Sequence, residues 1–338
     1  MTTFANRYIG IGKESTFGSA VASDAYGEMD DESFTENFDV LTRGDITRFG
    51  ATKATDSKHY LEGSVNGPLQ PDFFIMRLIN GVYGAHTPGG TAGVDDNLSE
   101  GGANTLPSFT VRIGRDDNNY EYAGQVVSSF SVSANVGEYA MFSATLTGQG
   151  GNSIGALSSP SYDYTGDAAH FVGAYVNFED LATNAAYSKL VQSIDFEINT
   201  NRDLDNSYGL GDSTCIRAPP MQMREISGNI TFHKAVLSGD VVVDEPHYTE
   251  LEAGHLNSGT AANPAISILF EVDSLNKIRF DFFKVHYGVP TTSISGRDSQ
   301  TMSVPFTALY DATSGMSKVT FSSESTKLKG GSATDMDA

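Results

Sequence analysis

The sequence predicts a mainly β protein of two tandem, similar β-sandwich or barrel domains, each with one flanking α-helix and a long extended loop. Three observations carry that reading. The first is alternation. Phe130, Val132, Ala134 and Val136 alternate with Ser131, Ser133 and Asn135, and after Gly137–Glu138 the apolar Ala140, Phe142, Ala144 and Leu146 alternate with Ser143, Thr145 and Thr147. A period of two marks strands with one buried and one polar face. The second is composition: 35 Gly, no Trp and many Ser, Thr and Val among 338 residues favour strands and turns over helices. The third is that the order of segments in the first half recurs in the second.

Taken in order, residues 1–30 read as an arm, Gly- and Ser-rich around YIGIGKESTFGSAVAS. A strand follows at Glu32–Val40, where Phe34, Phe38 and Val40 share a parity, and LTRGDITRFGATKATDSK reads as a long polar loop. HYLEGSVNG resumes strand character. PDFFIMRLINGVYG reads as a helix, with Phe74, Leu78 and Val82 at i, i+4 and i+8, Pro71 suited to the first turn and Gly84 to the stop. Residues 84–107 read as a Gly-rich loop, and SFTVRIG with NYEYAGQVV as a hairpin around Asp116–Asn119. The alternating pair described above closes the half.

Residues 150–170 have linker composition. Beyond them LVQSIDFEINT reads as a strand, NRDLDNSYGLGDSTCIRAPPMQ as a second long polar loop, and MREISGNITFH as a strand. PHYTELEAGHL is a short helix candidate, AISILFEV and KIRFDFFKVHYG pair around Asp273–Lys277, and SQTMSVPFTALYD alternates Met302, Val304, Phe306 and Ala308 against Thr301, Ser303 and Thr307. ESFTENFDV lies opposite QSIDFEINT, and AMFSATLTG opposite TMSVPFTAL. The expected organisation is a first domain over 1–155, a second over 165–325 and an acidic flexible tail over 326–338.

The formal charge of −21 rests on 42 Asp and Glu against 21 Lys and Arg. Such a surface repels itself at low salt and stays soluble at high salt, as a halophilic protein does. It lacks the clustered Lys and Arg that phosphate binding needs, so DNA-gripping function is excluded. A lone Cys215 excludes an internal disulfide and a cysteine zinc site. No apolar run approaches the ~20 residues that span a bilayer. The N-terminus shows no apolar signal core, which predicts a soluble cytoplasmic product and no membrane partner.

Motifs of chemistry are weak. GNSIG at 151–155 fits a nucleophile elbow around Ser153, but a linker with Pro160 follows where a helix is required. GIGKEST fails as a phosphate loop because Arg7 and Glu14 stand where Gly and Ser or Thr are needed. Asp203–Thr214 hints at a calcium loop, with Gly209 one place late and Thr214 in place of the closing Glu. His247, Glu250 and His255 lack zinc spacing, and His59, His86, His170, His233 and His286 are scattered. RGD at 43–45 is a chance tripeptide. The expectation is no enzyme, no metal and no cofactor.

The order of strands, the opening YIGIGKESTFGSAVAS and LVQSIDFEINTNRD…REISGNITF resemble the two-domain branch of the major tail tube proteins of long-tailed phages and haloarchaeal viruses, over roughly residues 8–323. The resemblance implies a tail-tube fold and a structural virion protein that self-assembles into stacked rings. Those rings are trimers with pseudo-sixfold symmetry, forming a hollow tube for genome delivery. It implies that the long loops reach the next ring, through Thr42, Arg43, Asp45, Arg48, Lys53 and Lys58 in the first half and Arg202, Asp203, Asp205, Tyr208, Asp212 and Arg217 in the second. It places Ser131, Ser133, Ser143, Thr145, Thr301, Ser303 and Thr307 on a sheet facing the lumen or a neighbour, where neutral hydroxyls let DNA pass without specific binding. The partners implied are further copies of the chain and the tape measure, tail terminator and distal tail proteins, in a tail assembled in the host cytoplasm. Lys234–Pro246 and the 84–107 loop depart from the plainest pattern. The alternative is another β-rich virion component, such as a neck, decoration or pilus-like subunit. An enzyme on a β scaffold is a third class, with no carboxylate pair singled out.

Overall fold

Strand pairing runs without a break from one half of the chain into the other. The structure, a computed structural model, describes residues 7–44, 46–89, 96–101, 106–151, 153–178, 191–233, 256–258, 264–293 and 301–323. The first half contributes β1 (Tyr8–Lys13), β2 (Ala25–Gly27), β3 (Asp31–Glu32), β4 (Thr35–Gly44), β5 (Ala51–Pro68), α1 (Phe73–Tyr83), β6 (Gly84–Thr87), β7 (Asp96–Glu100), β8 (Phe109–Arg115), β9 (Asn118–Asn135), β10 (Met141–Gln149) and β11 (Ser153–Gly155). The second half contributes β12 (Ala174–Phe178), β13 (Val191–Asn199), β14 (Glu225–His233), β15 (Leu256–Ser258), β16 (Ile266–Glu271), β17 (Lys277–Phe282), β18 (Lys284–Tyr287), β19 (Thr291–Ser293), β20 (Thr301–Ala308) and β21 (Ser317–Ser322).

The strands form two sheets. The larger runs β15-β18-β20-β14-β13-β9-β10-β5-β3, with β1, β2, β4, β8, β11 and β19 paired at its sides. The smaller runs β12-β16-β17-β21-β7-β6. Two pairings join the halves: β13 lies antiparallel on β9 from Ser193↔Asn135 to Asn199↔Ser129, and β21 lies on β7 from Lys318↔Ser99 to Phe321↔Asp96. Pairings also recur. β1 pairs β8, β8 pairs β9, and β9, β10 and β5 follow in line; β12 pairs β16, β16 pairs β17, and β18, β20 and β14 follow in line. In both halves a glycine on the core face sits opposite a phenylalanine, Gly67 with Phe142 and Gly228 with Phe306. A Cβ at Gly228 would stand 2.6 Å from the Phe306 ring, so the ring occupies the room the missing side chain leaves.

The alternation read from the sequence is borne out from Phe130 to Ala134 and from Ala140 to Leu146, whereas Val136, just before the turn at Gly137, is exposed. Phe130, Val132, Phe142, Ala144, Phe196, Ile198, Ile226, Val304 and Phe306 are all buried in one core. Phe196 meets Phe280 and Phe282 of the smaller sheet with ring centroids 4.9 and 5.5 Å apart, so the two sheets close on each other as a sandwich. The helix forms where its pattern places it. Asp72 caps it, its carboxylate accepting from Ile75 N at 2.7 Å, and Gly84 ends it at φ 90°. All its residues are buried because it packs on β9, β2, β1 and β7. Even Arg77 is inside, ion-paired with Asp24 and with its guanidinium 4.7 Å from the Phe73 ring centroid.

Several segments differ from the sequence reading. The polar stretch 41–58 is not a loop but most of a two-stranded ribbon, β4 against β5, from Thr35↔Glu62 to Gly44↔Ala51. From Leu41 to Asp56 the described residues are exposed on both faces, so no alternation betrays it. The Gly-rich 84–107 segment contains β6 and β7, which pair with each other and extend the smaller sheet. KIRFDFFKVHYG is two strands divided at Phe283, one for each sheet. The linker-like 150–170 stretch docks on the first half: Ser158 N and Oγ donate to the Tyr8 hydroxyl at 3.0 and 2.8 Å, and the Asp163 carboxylate accepts from Phe73 N at 3.2 Å. The helix candidate PHYTELEAGHL lies outside the described residues apart from Leu256, which opens β15. The 234–246 segment and the 326–338 tail lie outside them entirely.

Candidate assembly surfaces

The polar face of the larger sheet is built row by row from strand register. Cross-strand partners share a face, so one row runs His286, Thr307, Ser227, Glu197, Ser131, Ser143, Asn66 and Asp31. The next runs Pro305, Asn229, Asp195, Ser133, Met141 and Pro68. Ser129, Thr145 and Ser64 continue a third with Asn199. The structure therefore brings Ser131, Ser133, Ser143, Thr145, Ser303 and Thr307 onto one surface that crosses both halves, with Thr301 at its margin opposite His233. Hydroxyls dominate, and the acids on these rows are Asp31, Asp195, Glu197 and, where the third row continues beyond Asn199, Glu225. Ser303 Oγ donates to Asn229 Oδ1 at 2.6 Å, and partial burial raises the Asp195 pKa.

The ribbon of β4 and β5 is the second surface. From Phe38 to Asp56 its described residues are exposed, Thr42, Arg43, Arg48 and Lys53 among them; Asp45 lies outside the described residues. Its tip is apolar: Ile46 is 100% exposed and Phe49 115%, beside exposed Leu41 and Val40. A ribbon whose described residues from Phe38 to Asp56 are exposed while showing large apolar side chains has the character of a docking element.

The second long polar segment behaves differently. Instead of projecting freely, 201–222 straps back across the first half. Arg202 is half-buried, donating to Val127 O at 3.3 Å, Pro219 O at 3.0 Å and Gly81 O at 3.5 Å. Burial, and secondarily Arg224 nearby, push its pKa down to about 10. His59 N donates to Ser213 O at 2.7 Å, and Lys58 Nζ reaches Asp205 Oδ1 at 2.5 Å and lies 5.2 Å from the Tyr208 ring centroid. The strap thus braces the foot of the ribbon. Asp203 and Asp212 are occupied locally. Asp203 accepts from Asn206 Nδ2 and N and from Gln222 Nε2, and Asp212 from Thr214 N and Oγ1; these bonds hold both carboxyls below their usual range. Arg217 donates to Asn206 O at 2.6 Å. Sequence reasoning paired the two segments as equals. It missed the half-buried Arg202, because an arginine in a polar run carries no sign of burial.

The chemical motifs dissolve into structure. Ser153 lies on exposed β11, with no helix after it, so the nucleophile-elbow geometry is missing. Gly10 and Gly12 lie inside β1 and are not a phosphate loop. Among the described residues no cluster of His, Cys, Asp and Glu is arranged to hold a metal ion. His247, Glu250 and His255 lie outside the described residues. One carboxylate the sequence reading passed over is central: Glu14 accepts from Ser108 Oγ, Thr110 Oγ1, Gly124 N and Gly18 N at 2.8–2.9 Å, which pins the start of the chain to β8 and β9.

Compared with known proteins, residues 5–308 match a family model described as phage tail tube protein. Among curated proteins none matches.

Proposed function

This chain belongs to the phage tail tube protein family, and from that premise we propose that it stacks as rings, three chains to a ring with pseudo-sixfold symmetry, into the hollow tube through which a genome leaves the virion. As a member of that family it is a structural component of the viral tail and not an enzyme. The observation that carries the finer reading is the larger sheet itself. It passes from β18 to β3 through both halves with a recurring set of pairings, as two of six similar units around a ring would require.

In this reading each half is one domain and the hydroxyl-bearing face lines the lumen. Passing phosphates meet Ser and Thr with a few acids, and nothing there holds them. The ribbon of β4 and β5 reaches the next ring through Thr42, Arg43, Arg48, Lys53 and its apolar tip. The second-half residues Asp203, Asp205, Asp212 and Arg217 contribute at the foot of that contact, and Tyr208 and Arg202 support it from within. The tape measure, tail terminator and distal tail proteins are the further partners, assembly takes place in the host cytoplasm, and the acidity suits a haloarchaeal virus. Negative-stain electron microscopy of the purified chain across salt concentrations tests this. Hollow rods with a regular axial repeat, or rings with threefold or sixfold views, are expected. Dispersed chains at every salt concentration, also after addition of purified tail ends as initiators, would overturn it.

A further inference from the structure

The junction inside the chain also describes a junction between chains. The halves can be superposed through Gly67–Phe142 and Gly228–Phe306. Two residues before each glycine, Val65 pairs Glu32 of β3 and Ile226 pairs Ile198 of β13, so Glu32 holds the place of Ile198. Beside each phenylalanine, Phe142 pairs Val132 of β9 and Phe306 pairs Tyr287 of β18, so Tyr287 holds the place of Val132. Within the chain β9 receives β13 on its outer edge, with Phe130 opposite Ile198 and Ser131 opposite Glu197.

We propose that the outer edge of β18 receives β3 of a second copy in the register of that internal junction, placing Val285 opposite Glu32, His286 opposite Asp31 and Tyr287 opposite Asp30. The proposal rests on the ring reading above and names the surfaces that close the ring. Charge supports it independently. Asp30 and Asp31 lead into the β3 edge and Lys284 and His286 stand on the β18 edge, while Glu32 is held by Arg115 of its own chain at 2.7 Å. Opposite signs across a strand pair attract, whereas two acidic edges repel.

In the single chain β15 lies on this edge, with Leu256 opposite His286 and Asn257 opposite Val285. It is three residues long, and it precedes β16 as β7 precedes β8. Its counterpart β7 does not lie on β9 but reaches across to β21 of the other half. The incoming β3 therefore displaces β15, which covers an edge that would otherwise template unwanted pairing.

Asp31 and His286 of one chain stand at opposite ends of the path β18-β20-β14-β13-β9-β10-β5-β3. With strands about 4.8 Å apart they are on the order of 30 Å from each other along the sheet, beyond disulfide reach. The test is the full chain carrying Asp31→Cys with His286→Cys, assembled, oxidised and run on a denaturing gel without reductant. Wild type, with its buried Cys215, is the control. A ladder of covalent dimers and trimers that stops at three is expected. Tubes that form normally yet yield no disulfide would overturn the interface and leave the tube function standing; wild type that never forms rings or tubes would instead sink the function. A charge exchange guards against a cysteine variant that does not assemble. Asp31→Lys should reduce tube yield at least tenfold and addition of His286→Glu should restore it, whereas undiminished assembly of Asp31→Lys counts against the interface.

Discussion

Phe196 of the second half is the cross-strand partner of Val132 of the first, and both are buried. The seam between the halves is thus a piece of continuous hydrophobic core. Phe196 also packs edge-on against Phe280 and Phe282. Phe196→Ala empties this space and should cost about 3–5 kcal/mol. The two halves should still unfold together, in one transition at a lower midpoint. Urea titration followed by far-UV circular dichroism checks this, and two separated transitions in wild type would contradict a shared core.

Glu14 gathers four donors, the hydroxyls of Ser108 and of Thr110 in β8 and two backbone N–H groups. Glu14→Ala leaves these donors unanswered in a buried place, at about 1–3 kcal/mol for each that water does not reach. We expect early amide exchange at Tyr8–Lys13 and a lower thermal midpoint. Glu14→Gln should lose less, since its carbonyl still accepts. Equal stability of Glu14→Ala and wild type would refute the pin.

Asp72 provides a pH signature. Burial raises its pKa well above the usual aspartate value of 3.8, partly offset by the bond from Ile75 N. The folded state therefore holds this proton more tightly than the unfolded state. Its stabilising contribution is full below pH of about 4, the unfolded value, and is lost as pH rises through the folded value. Asp203, Asp212, Asp273 and Asp311 are shifted down, so their contribution is lost only as pH falls below about 4. Asp72→Asn keeps the cap acceptor and removes the titration. Its unfolding free energy should stay flat over the range where wild type declines. Parallel curves for the two proteins would contradict the assignment.

The strands legible in the sequence are those with one wet and one dry face: the alternation at 130–146 and 301–308 declares which side meets the core, because burial selects residue type position by position. The helix at 73–83, buried on every side, is legible instead from its i, i+4 spacing and its Gly84 stop. The 41–58 part of the ribbon reads as a loop because it buries neither face, so only its register with itself makes it a ribbon. β6 and β7 were hidden for a related reason. β7 gains its place by pairing with β21, more than 200 residues away, and β6 by pairing with β7, and local propensity carries no trace of so distant a partner. The row from His286 to Asp31 was legible only in pieces. Ser131 and Ser143 could be read as outward-facing, whereas their continuity with Glu197 and Thr307 follows from register alone.

The ribbon tip separates folding from assembly. Ile46 and Phe49 are fully exposed and touch little of their own chain. Ile46→Asp with Phe49→Asp should change stability by less than about 0.5 kcal/mol. The same change should leave rings but abolish rods, because it puts charge into the contact proposed between rings. Sedimentation and electron microscopy at one salt concentration report both. Rods of normal length from this variant would remove the ribbon from the stacking contact.

Salt should promote assembly. Each chain carries a formal charge of −21, so bringing chains together concentrates like charge. The local attraction between the Asp31 and His286 edges acts over one strand pair, whereas the net repulsion acts over the whole subunit. Screening shortens electrostatic reach from about 10 Å at 0.1 M salt to about 3 Å at 1 M, which removes the long-range repulsion first. Tube yield should therefore climb with sodium chloride. Strengthened apolar burial would give the same trend with salting-out ions, so a charge variant separates the two causes. Asp195→Asn with Glu197→Gln removes two acids from the polar sheet face. Tubes should then appear at lower salt than for wild type if repulsion sets the threshold, and at the same salt if apolar burial sets it. Light scattering across a salt series, with rod lengths measured from micrographs, tells these outcomes apart.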